Sequence, residues 1–184
     1  VNTDTAQLEV VPAISRPDLL APAVAQALAG VDGVGVDGVD GVGVAEIDPA
    51  LADTAAFCER YGVSPAASAN CVVIAGRREG QIRYAACVVL ATTRADVNGV
   101  ARRALDVRKA SFAPVADAVA ATGMEYGGIT PVGLPGDWPI LVDAQVAAAP
   151  RVVVGSGVRR SKLSLPGSVL ARLPGAVVVE GLGR

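Results

Sequence analysis

Residues 71–91 read CVVIAGRREGQIRYAACVVLA. Two apolar, β-branched segments, CVVIA and IRYAACVVLA, flank the polar, glycine-bounded GRREG, and that pattern predicts an antiparallel strand pair. Further strands are expected at VGVAEI (42–47), KASFA (109–113), PILVD (139–143), RVVVGS (151–156), KLSLP (162–166) and GAVVVE (175–180). Helical patterns cover 17–29, 50–62, 95–105, 114–123 and 166–173. Ser15 is placed to cap the first of these and Gly30 to stop it, although Pro22 argues against one long regular helix. Strands outnumber helices and run partly in succession, so the chain reads as α+β, with a mixed, mostly antiparallel sheet and helices outside it.

The 184 residues suffice for one compact domain with a core. Within it, residues 1–43 read as a lead-in, a helix and a Val/Gly/Asp-rich connection, and 44–184 as the main domain, the two packed as one unit. The repeat VDGVGVDGVDGVGV (31–44) carries Asp32, Asp37 and Asp40, but their spacing does not fit a calcium loop, so a turn-rich connection is expected. The start, VNTDTAQLEV, has no basic-then-apolar leader, and a first residue other than Met reads as a trimmed terminus. No apolar run nears the roughly 18 residues a membrane helix needs, and a cytoplasmic location is the expectation.

There is no histidine, which removes Ser-His-Asp and Cys-His catalysis and imidazole-dependent zinc sites. Cys58, Cys71 and Cys87 have no CxxC spacing and sit in apolar stretches, as buried reduced thiols do. Neither a metal nor a cofactor is expected. Net charge is −2, too low for the whole surface to attract polyanions, but ARRALDVRK (101–109) and GVRRSK (157–162) are locally basic. Solvated helix and turn residues are the plain reading of both, with a small phosphate-contacting rim as the other.

The loop GGITPVGLPG (127–136) spends four glycines and two prolines on ten residues, a combination that holds backbone rigid and close to a ligand. It lies in TGMEYGGITPVGLP (122–135), followed by PILVDAQV (139–146) and VVVGSGVRRSKLSL (152–165). In that order and spacing, these pieces resemble the YbaK/EbsC family, the editing domain associated with prolyl-tRNA synthetase, over most of residues 44–180. The resemblance implies a barrel-like sheet surrounded by helices and hydrolysis of the ester of mischarged aminoacyl-tRNA, without metal. It also implies the tRNA acceptor end as partner, free in solution or beside a synthetase, and neither membrane nor DNA. Gly127, Gly128, Ile129 and Thr130 are the candidate amide donors to the developing oxyanion, with Pro131 and Gly133 fixing the loop. Asp143 matches an acidic pocket position, or caps the helix that follows it. Gly155, Ser156 and Gly157 resemble a second loop lining the pocket, with Arg159 and Lys162 as phosphate contacts.

One position departs from the family. Where the segment GVSPAASAN resembles a stretch ending in the central pocket lysine, this chain has Asn70, whose amide carries no charge. Two readings follow: an editing deacylase with an altered pocket, or an inactive module that binds an aminoacyl-adenosine, a nucleotide or a protein. Both expect Asn70, Gly128, Asp143 and Ser156 to converge on one cleft, and scatter over different faces would sink both.

Overall fold

The computed structural model describes residues 8–29 and 41–184; most of the Val/Gly/Asp repeat, including Asp32, Asp37 and Asp40, lies outside them. The strands are β1 (Val11–Pro12), β2 (Gly43–Glu46), β3 (Ala69–Arg78), β4 (Gln81–Leu90), β5 (Ala110–Phe112), β6 (Ile140–Asp143), β7 (Val152–Gly155), β8 (Ser161–Leu165) and β9 (Ala176–Val179). The α-helices are α1 (Pro22–Ala29), α2 (Thr54–Tyr61), α3 (Arg102–Ala104), α4 (Val115–Thr122), α5 (Ala144–Ala148) and α6 (Gly167–Leu170).

The hairpin is longer than its apolar segments suggest: β3 and β4 pair over ten residues each, from Ala69↔Leu90 to Arg78↔Gln81. The turn shrinks to Glu79 and Gly80, both with positive φ, as a two-residue hairpin turn requires. Arg77 and Arg78 therefore belong to the strand. β4 is central in the sheet β5-β3-β4-β6-β9, and its last six residues are all buried. Successive side chains of a strand point to opposite faces. Cys87 and Val89 accordingly join Ile74, Leu105 and Leu141 in one core, while Val88 and Leu90 join Val44, Val142 and Leu163 in another. The second core fills the space against the sheet β1-β2-β8-β7. β4, β6 and β9 run parallel and the other pairs antiparallel, and a single bridge, Ser68↔Val153, links the sheets. The sheets are open rather than closed into a barrel.

Two helix starts differ from expectation for local reasons. Pro22 begins α1 instead of interrupting a longer helix, since its missing N–H is free of cost at a first turn; Pro17–Leu19 form a separate 3-10 turn. Ser15 donates to Pro12 O and does not cap α1. Asp96 accepts from the N–H groups of Gly99 and Val100, capping Val97–Ala101, which winds as a wider π-turn ahead of α3. At the other end of the chain, Leu182 is fully buried in the core behind β4.

Candidate active site

A cavity of about 430 Å³ opens between the start of β3, the start of α2, the glycine loop and the end of β7. This is the size range of small-ligand pockets. Asn70 enters it as the second residue of β3, and Thr54, the first residue of α2, donates from Oγ1 to Asn70 Oδ1 at 2.6 Å. That bond fixes the amide so that its NH2 group remains the available donor.

The positive charge comes from β8. In KLSL, Leu163 and Leu165 point into the core between the sheets, so period-two alternation sends Lys162 to the opposite face. There it lines the cavity and is only 7% exposed. Its Nζ donates to Ala52 O at 2.8 Å and lies 5.4 Å from the centroid of the Phe57 ring. Burial holds this ammonium below the ordinary lysine value, and the nearby Arg159 charge adds to the effect, while Asp53 and Cys58 oppose it. Lys162 thus stands inside the pocket rather than on an outer phosphate rim. The cavity holds a positive charge from β8 together with the neutral Asn70 amide from β3.

Arg159 is also committed. Its Nε and one terminal nitrogen donate to Pro49 O at 3.2 and 3.0 Å, and the other terminal nitrogen donates to Tyr126 O at 3.1 Å. Its backbone N–H donates to Glu125 Oε2 at 2.6 Å. The guanidinium clips the Pro49 turn to the glycine loop and pairs with no carboxylate among the described residues.

The two glycine loops pack main chain on main chain. Gly157 N–H donates to Gly128 O at 2.8 Å and Glu125 N–H to Gly157 O at 2.9 Å. A Cβ on Gly155 would overlap Gly128 O and stand 2.7 Å from Ile129 O, and one on Gly128 would stand 2.7 Å from Val158 O. Gly128 N–H is spent on Glu125 O at 2.9 Å, which removes it as a donor to substrate. Gly127 and Ile129, on either side, line the cavity, and their N–H groups donate to no described residue. Pro131 and Gly133 sit further along the loop and outside the cavity lining, with Gly133 at positive φ against the Ala23 backbone. Thr130 is fully buried behind the lining, and its Oγ1 has no partner among the described residues.

Asp143 and Ser156 do not join this cleft. Asp143 is 4% exposed: Oδ1 accepts from Gln145 N–H, capping α5, and Oδ2 accepts from Gly183 N–H, tethering the C-terminal segment. Both oxygens have structural partners. Ser156 is fully buried and bonds Val158 O, Ser161 O and Ser161 Oγ inside its own turn. Of the four residues expected to converge, Asn70 lines the cavity, Gly128 stands just behind its wall, and the other two lie elsewhere. Sequence reasoning missed Thr54, Asp53 and the exposed rim residues Phe112 and Tyr126, which all line the cavity. For Lys162 a signal existed in the alternation of KLSL, but the face opposite the leucines reads as solvent until α2 is seen to cover it.

The family model of the aminoacyl-tRNA editing domain matches residues 48–173, and the chain belongs to that family. The fold recurs in a crystal structure of a proposed trans-editing enzyme for prolyl tRNA synthetase, with TM-score 0.67 and 22% identity, covering 88% of this chain and 97% of that one. It recurs also in a scaffold protein used for computational epitope grafting, with TM-score 0.68, 22% identity and coverage of 88% and 97%. A hypothetical protein gives TM-score 0.63 at 22% identity, over 72% of this chain and 85% of that one. No curated protein sequence matches the chain. Among the described residues no helix is long and apolar enough to cross a membrane, and no cluster of side chains could hold a metal ion.

Proposed function

We propose that this chain is a trans-editing deacylase that hydrolyses the ester between a wrong amino acid and the 3′ end of a tRNA. The observation that carries the reading is the buried Lys162 ammonium in the same cavity as Asn70, Gly127 and Ile129, the last two with amide N–H groups that have no partner among the described residues. An ester carbonyl directed at these donors develops its negative charge where a cation and two N–H groups wait, in a site partly closed to water. Water adds to the carbonyl carbon, the tetrahedral oxyanion forms, and the carbon–ribose oxygen bond breaks. The proton lost by the attacking water ends on the ribose oxygen, so a free amino acid and an uncharged tRNA leave. The orientation of Asn70 by Thr54 supports a role in holding the attacking water or the substrate's amino group.

Asn70 itself is the observation favouring the second reading, a module that binds an aminoacyl-adenosine, a nucleotide or a protein without turnover. Single-turnover deacylation of a panel of mischarged tRNAs, including Ala- and Cys-charged tRNA for proline, separates the two. Wild type is expected to hydrolyse at least one, and Lys162→Met to lose about 10²–10³-fold in rate, the usual cost of removing an oxyanion donor. Hydrolysis unaffected by Lys162→Met removes Lys162 from the mechanism, and an inert wild type favours the binding module.

A further inference from the structure

With Lys162 inside the pocket and Arg159 clipped to two carbonyls, the phosphates of a bound RNA need other partners. The hairpin provides them. From the cavity mouth at Phe112, the edge strand β5 leads directly into a second groove, lined by Ser111, Ala110, Lys109, Gly76 and Arg77. Arg77 is shared with a third cleft of about 510 Å³, whose walls include Arg78, Arg102 and Arg108. Phe112 pairs with Ile74, three residues before Arg77, so at about 3.3 Å per residue the arginines begin about 10 Å from the mouth. That span equals about three stacked nucleotides at about 3.4 Å each.

The charge along this track is uneven in a chain of net charge −2. Arg77, Arg78, Arg83, Arg102, Arg108 and Lys109 gather there against only Glu79 and Asp106. Asp106 is itself committed, pairing with Arg78 and Arg83 at once from a residue with φ of 54°. Arg108 and Lys109 are exposed and pair with no carboxylate among the described residues. Phe112 is 63% exposed where the pocket gives way to the groove, the position and chemistry of a base-stacking face.

We infer that the groove along β5 and the arginine cleft at the tip of the β3–β4 hairpin form an RNA-backbone track, carrying the strand whose 3′ end occupies the pocket. The inference rests on the editing reading for the identity of the polyanion. The track contacts phosphates and reads no base edges, so it positions tRNAs of any sequence alike.

The test is binding of uncharged tRNA by fluorescence anisotropy at several salt concentrations, for wild type, Arg77→Glu/Arg108→Glu/Lys109→Glu, and, as a charge control, Arg172→Glu, an exposed arginine just after α6 that lines neither the cavity nor the two clefts of the track. Hydrolysis of a minimal aminoacylated nucleoside ester is followed in parallel. The triple variant is expected to bind at least about tenfold more weakly and to lose about two to three from the salt slope, near 0.7–0.9 per phosphate contact. Hydrolysis of the minimal ester stays at the wild-type rate. Wild-type affinity and slope in the triple variant overturn the track even if the ester is cleaved, and so does an equal loss per charge in Arg172→Glu. Track-dependent RNA binding by a protein that cleaves no ester overturns the editing reading and leaves the track standing.

Discussion

Lys162→Met tests whether a buried ammonium with no ion-pair partner among the described residues governs this pocket. The structure sets opposing terms. The substitution removes a charged hydrogen bond to Ala52 O, of the kind that contributes about 1.5–3 kcal/mol, and a cation–π contact with Phe57 of about 0.5–2 kcal/mol. It also removes the desolvation cost of an ion that is 7% exposed, several kcal/mol for a buried charge, and Met nearly fills the same space. The terms are of similar size, so near pH 7 the variant is expected to be as stable as wild type within about 1 kcal/mol, or about 2–4 °C in Tm for a domain of this size. The pH dependence supplies the sign. In the folded chain Lys162 releases its proton below the ordinary value of 10.5, so between the lowered value and 10.5 the unfolded chain holds more protons. Stability then rises with pH across that window in wild type and does not in the variant. Denaturant unfolding of both proteins from pH 7 to pH 10.5 reads the difference, in which all other titrations cancel. The variant's relative stability should fall steadily as pH rises. A Tm loss above about 5 °C at pH 7, or a difference that stays flat with pH, refutes the reasoning.

Gly155→Ala places a methyl group against the carbonyl oxygens of Gly128 and Ile129, which are backbone and yield little; unfolding measurements should show a loss of about 1–3 kcal/mol, together with slower deacylation as the loop shifts. Burial raises the thiols of Cys58, Cys71 and Cys87, the last to about 12. Cys71 differs from the other two in being half-buried in the cavity wall, so iodoacetamide at pH 8 should leave Cys58 and Cys87 of the native protein largely unlabelled while denaturant exposes all three thiols, and rapid native-state labelling of Cys58 or Cys87 contradicts its burial.

The order of strands and helices was legible because each local pattern agrees with its place in the fold. CVVIA and IRYAACVVLA sit on the central pair, and Gly62 and Gly123 stop α2 and α4 at φ of 66°. The parts that were not legible depend on contacts between distant segments. The polar half of the hairpin looks like loop until Arg78 is seen to pair with Gln81, and Asp143 is the same residue in sequence whether it caps a helix or faces a substrate. Asn70 drew attention as an absence, and only the pairing of β8 with β2 and β7 brings Lys162 to the same cavity. The glycines of 127–128 and 155–157 were legible as special, but the reason differs in part: several make room for one another's backbone rather than present amides to substrate.

That glycine zipper bears on how such a pocket diversifies. A wall built of main-chain atoms presents nearly the same surface whatever codon changes occur around it, and substitutions within it are blocked by overlap. The side chains left to vary in the lining include Val73, Ala118 and Val115, each of which can gain or lose a methyl group at a time. On the editing reading proposed above, where one methylene discriminates by only about 1–3 kcal/mol, single substitutions in that lining are expected to shift selectivity in small steps while the main-chain wall stays as it is.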